Sequence, residues 1–69
     1  MIFFFEQDGR YVRCEVLPRP DGASELIVTQ PEGKQTIEIL EGADVPRRVS
    51  ELQQSLLRSG WWGPVGREI

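Results

Sequence analysis

Catalysis needs nucleophiles, acids and bases held close together, and this sequence offers few. It contains no histidine, one cysteine and eleven acidic residues. Histidine is the usual side chain for proton transfer near neutral pH. Without it, the work falls to carboxylates. Glu6, Asp8, Glu15, Asp21 and Glu32 lie in turn-like segments or on mixed strand faces, at spacings that force no two together. No phosphate-loop, dinucleotide or nucleophile-elbow pattern occurs. The sequence therefore predicts a protein that is not an enzyme and takes no cofactor.

Cys14 is the one nucleophile to weigh. It alternates with Val12 and Val16, so a strand through this region places it among apolar side chains. There a thiol behaves as a small hydrophobe. With no histidine to lower its pKa, it stays protonated and inert. A single cysteine also makes no intrachain disulfide, and without histidine no ordinary zinc site is built.

Two further groups are better suited to binding. Arg47 and Arg48 fall in the first turn of a predicted helix, where positive charge opposes the helix dipole. With the free amides of that turn they form a possible anion contact. Asp44 and Glu51 are equally placed to neutralise them on a wet surface. Tyr11, Arg10, Arg13 and a tryptophan, Trp61 or Trp62, form the second group, suited to stacking on a single-stranded nucleic acid. The net charge of −3 weighs against that partner.

The elements that position these residues are marked by turn signals. Asp8-Gly9 suits a two-residue hairpin. Pro18 to Gly22 and Gln30-Pro31-Glu32-Gly33 are further breaks, rich in proline and glycine. Strands are predicted over about 2–7, 10–17, 24–30 and 34–40, each antiparallel to its neighbour because the connections are short. Val45, Val49, Leu52 and Leu56 recur at helical spacing, predicting a helix over about 45–59. Asp44 stands at the capping position, and Gly60 suits a left-handed end with Trp61 folded back on the last turn. Residues 60–69 show no period and read as an irregular tail. The expected fold is a single α+β domain: a four-stranded antiparallel meander followed by one helix packed on one sheet face.

The Asp8-Gly9 turn fixes a register. Met1, Phe3, Phe5, Val12, Cys14 and Val16 share one apolar face, which joins Val49, Leu52 and Leu56 in the predicted core. The other face carries Ile2, Phe4, Tyr11, Arg13 and Glu15. In the third hairpin, Ile27 faces Ile37 with Ile39 nearby, and Leu26, Val28 and Leu40 lie on the opposite side. Both faces are thus substantially apolar, although one helix covers only one. The cover for the second face is either the tail, through Trp62, Val65 and Ile69, or another copy of the chain. A domain this short has neither a disulfide nor a metal to hold it, and association supplies what is missing. The sequence reads as a non-catalytic assembly or protein-interaction module, a cytoplasmic homodimer with Phe4, Tyr11 and Trp62 at or beside the interface.

Overall fold

The computed structural model describes residues 1–68. Five strands form one antiparallel sheet: β1 (Ile2–Gln7), β2 (Arg10–Pro18), β3 (Ala23–Thr29), β4 (Gln35–Glu41) and β5 (Trp62–Glu68). A short 3-10 turn, Gly42–Asp44, leads into the single helix α1 (Val45–Arg58), which stands between β4 and β5. The order across the sheet is β4-β3-β2-β1-β5. The first four strands follow chain order. The helix then carries the chain from the β4 edge back to the β1 edge.

The turns explain the meander. Asp8 and Gly9 both have positive φ, 52° and 76°, as a two-residue turn matched to strand twist requires. This turn sets Phe3 opposite Cys14 and Phe5 opposite Val12, the register expected from the sequence. The next two turns share one construction. In Arg19-Pro20-Asp21-Gly22 the Gly22 amide donates to the Arg19 carbonyl at 3.2 Å. In Gln30-Pro31-Glu32-Gly33 the Gly33 amide donates to the Gln30 carbonyl at 2.8 Å. Proline pre-sets the first bend, and glycine takes the left-handed position that follows.

Phe3, Phe5, Val12 and Cys14 are fully buried and form the core, with Val16 and Leu26 extending it. Phe3 and Phe5 meet edge to face, ring centres 6.2 Å apart. Val49, Leu52 and Leu56 pack on this cluster but remain half-buried, and no helix residue is fully enclosed. The helical stripe thus packs on the expected sheet face, less deeply than the strand residues. One helix roofs a five-stranded sheet incompletely. Toward β4 it leaves a groove of about 470 Å³, lined in part by Leu26, Val28, Glu38, Arg48 and Leu52. Met1 stands opposite Val16, bonded to both its amide and its carbonyl, and so on the expected face, but at the end of the sheet it is 45 % exposed rather than buried.

Three further expectations are corrected. The sheet has five strands rather than four. The tail read as irregular over 60–69 is a strand through Glu68, paired antiparallel with β1; Ile69 lies outside the described residues. Asp44 occupies the N-cap position without capping. Its backbone is already helical, φ −89° and ψ −10°, and its carboxylate bonds no helix amide. A cap needs extended backbone there so that the side chain can turn back over the first turn. The preceding 3-10 turn removes that option.

The other end of the helix is as expected. The Trp61 amide donates to the Leu56 carbonyl at 3.0 Å, and the Gly60 amide to Leu57 at 3.1 Å. With Gly60 at φ 89°, this is the paired-bond left-handed termination. It folds Trp61 back against the core beside Leu56.

Candidate functional site

The sheet face opposite the helix is the site to consider. Strand pairing arranges its side chains in rows, because directly opposed residues share a face. One row runs Tyr11, Glu6, Trp62. The next runs Gln35, Thr29, Arg13, Phe4, Val65. A third holds Ile37, Ile27, Glu15 and Ile2, and a fourth Ile39, Glu25 and Leu17. The three residues expected at an interface, Phe4, Tyr11 and Trp62, are therefore brought to one end of one face.

That end is concave. Phe4, Glu6, Tyr11, Val65 and Gly66 line a depression of about 530 Å³. Beside it, Trp62 is 66 % and Tyr11 50 % exposed. The floor of the depression depends on β5, which adopts its path because Gly63 lies flat against β1. A Cβ at Gly63 would stand 2.9 Å from the Phe4 carbonyl oxygen and 2.9 Å from the Phe5 ring. Through Glu68 the tail does not fold over the face as a cover. It joins the sheet at the edge and adds Trp62 and Val65 to the uncovered surface.

A second apolar group lies at the far side of the same face. Ile37 is 59 % and Ile39 54 % exposed, with Ile27 beside them on β3. Between the two groups runs β2, where Arg13 and Glu15 form an ion pair at 3.6 Å. Arg19 pairs with Glu25 at 3.5 Å and with Asp21 at 3.4 Å. The face is thus two apolar patches divided by paired charges. Its four rows hold Glu6, Glu15 and Glu25 with Arg13, and Arg19 reaches Glu25 from the end of β2.

The arginines singled out by the sequence are dispersed. Arg10 lies over the Trp61 ring at 5.9 Å, at the end of the core and away from Arg13. Arg47 contacts Asp44 at 3.6 Å and Glu51 at 3.5 Å. Arg48 turns the other way, its Nε donating to both carboxylate oxygens of Glu38 at 3.0 and 3.1 Å. The helix start thus presents two separate sets of ion pairs rather than a joint arginine pair. Arg48 ties α1 to β4, a link that sequence spacing did not reveal.

Cys14 is fully enclosed, and burial pushes its thiol up to about 11. A thiol so placed is neither a nucleophile nor a ligand at neutral pH. Among the described residues no cluster of three or more carboxylate or thiol side chains is placed to hold a metal ion. Nor is any helix among them long and apolar enough to cross a membrane. No family model, curated protein or solved structure matches this chain.

Proposed function

We propose that the protein is a small non-catalytic interaction module that self-associates as a homodimer through the sheet face opposite its helix. The observation that carries this reading is the depression lined by Phe4, Tyr11 and Val65 beside exposed Trp62. Large apolar side chains at one concave place are what monomeric proteins seldom leave open. Aromatic residues also dominate the centres of protein interfaces.

The divided face favours a second copy as the occupant. Two copies stacked face to face with strands antiparallel, related by a twofold axis between the Arg13 and Glu15 rows, set Arg13 of each over Glu15 of the other. The same operation lays Tyr11 over the second copy's Leu17, and Phe4 over its Ile2. On β1 and β2 charge thus meets opposite charge and apolar meets apolar, as suits an isologous contact, while on β3 and β4 Ile27 and Ile37 fall over the second copy's Thr29 and Gln35. Single-stranded nucleic acid fits less well. Arg13 is paired with Glu15, Arg19 is paired with Asp21 and Glu25, and Arg10 is held over Trp61.

Sedimentation equilibrium at micromolar concentration tests the proposal. The wild-type protein should run at twice the chain mass or above. Tyr11→Glu, at an exposed position that leaves the core intact, should lose the face contact and run at a lower mass than wild type, with an unchanged circular dichroism spectrum. A wild-type monomer across the concentration range would sink the reading.

A further inference from the structure

The two edges of the sheet are built differently, and the difference points to a second contact. At one edge, β5 contains Pro64, which has no amide hydrogen, and Gly63 and Gly66. Its pairing with β1 slips twice, between Phe3 and Phe4 and between Phe4 and Glu6. Prolines, glycines and bulges are the devices that stop an edge strand from recruiting another. At the other edge, β4 carries none of them. Its seven residues pair with β3 in unbroken register from Gln35 to Glu41, and among the described residues β3 is its only neighbour.

The outward backbone groups of β4 can be identified. Bonded and non-bonded pairs alternate along an antiparallel ladder. The Gln30 amide donates to Lys34 at 2.8 Å, so Thr36, Glu38 and Leu40 bond inward to β3. Gln35, Ile37, Ile39 and Glu41 are left with amides and carbonyls facing out. Ile37 and Ile39 are also the two most exposed aliphatic side chains of the sheet.

From this we infer that β4 is a docking edge for the β4 strand of a second copy, antiparallel about Glu38, giving one continuous sheet of twice the width. The choice of a second copy rests on the self-complementary pattern of the strand. Centred on Glu38, Ile37 falls opposite the second copy's Ile39, and Ile39 opposite its Ile37. Gln35 falls opposite Glu41. Every bonded pair then joins two residues whose backbone groups face out, and the whole strand is used. The four isoleucines meet on the open face. The one like-charge pair is Glu38 against its copy at the axis, and each carboxylate is already gripped through both oxygens by its own Arg48. Opposed like charges are costly in a ladder when bare; here each arrives neutralised.

This contact goes beyond the face-to-face dimer and does not depend on it, since β4 and β5 are opposite edges. Amide hydrogen exchange followed by NMR, alongside sedimentation at the same concentrations, separates the two. If the edge pairs, the Ile37 and Ile39 amides exchange ~10-fold or more slowly at associating than at dissociating concentrations, because free outward amides have no protection of their own. Ile39→Pro removes one outward amide and no β3 bond, and Ile39→Lys keeps the backbone but charges the edge. Both should abolish that protection while Tyr11→Glu leaves it in place. Association with Ile37 and Ile39 exchanging as fast as loop amides overturns the edge contact and leaves the face contact standing. Protection that appears only with an added extended peptide overturns the second copy as occupant. A monomer at all concentrations overturns both contacts.

Discussion

At the scale of single residues, three positions separate what chemistry fixes from what it merely permits. Gly63 is the tightest. Any side chain there meets both the Phe4 carbonyl and the buried Phe5 ring, and neither can withdraw without opening the core. Gly63→Ala should cost about 1–3 kcal/mol, as overpacking of a closed site does; a urea midpoint equal to wild type would show that β5 sits further from β1. Cys14 gives a pH signature. Burial raises its pKa from 9.0 to about 11, so the folded state keeps its proton after the unfolded chain has lost it. The contribution is whole below pH 9 and drains away as pH rises toward and past 11. Its full size is roughly 2–3 kcal/mol, because a tenfold change in proton affinity between folded and unfolded chain is worth about 1.4 kcal/mol. Cys14→Ala should therefore lose stability less steeply than wild type between pH 9 and 11, whatever its starting stability; parallel curves would show that the thiol titrates normally. The buried place of Cys14 was legible from its alternation with Val12 and Val16. The need for glycine at 63 was not, because nothing near it in sequence reveals that Phe5 approaches from another strand.

At the scale of elements, the two ends of α1 behave oppositely, and one experiment compares them. Gly60 holds a positive φ that other residues enter at a cost, so Gly60→Ala should destabilise by about 1–2 kcal/mol. Asp44 makes no capping bond, and among the described residues its ion pair is an exposed one with Arg47. Asp44→Ala should therefore stay within about 0.5 kcal/mol of wild type. Thermal melts of the two variants check the contrast; a larger loss at Asp44 would mean that the carboxylate caps the helix in solution. The C-terminal signal was readable because glycine and tryptophan each state a local geometry. The N-terminal one misled because the cap rule assumes extended backbone, and Gly42-Ala43 instead begins a 3-10 turn. The hairpins were legible for the same local reason as Gly60. β5 was not, since its glycines and proline mimic a loop. It becomes a strand only because β1 offers an open edge, a fact that depends on the whole sheet.

At the scale of the molecule, the excess of apolar residues on both sheet faces was visible in the sequence, and so was the grouping of Phe4 with Tyr11. Trp62 was expected beside that group as part of a covering tail, and only the placement of β5 makes it a neighbour of Glu6 in the sheet; the exposed Ile37–Ile39 edge follows from the strand order. The same order has a consequence for connectivity. Ile2 stands opposite Glu68 across the β1–β5 pair, so the described chain starts and stops side by side. Joining two adjacent points closes a loop at little entropic cost, while the exposed Pro20–Asp21 link lies in a turn whose neighbours are already paired. A circular permutant, opened at Pro20–Asp21 and closed by a short glycine-serine linker after the last residue, keeps every strand pair of the sheet while reversing which hairpin is made first. It should regain the wild-type circular dichroism spectrum and melt cooperatively. Deleting β5 with the chain after Gly60 should not, because the outer side of β1 then loses its only neighbour. A permutant that stays unfolded would mean that the fold depends on the sequential order of synthesis, beyond the set of contacts it ends with.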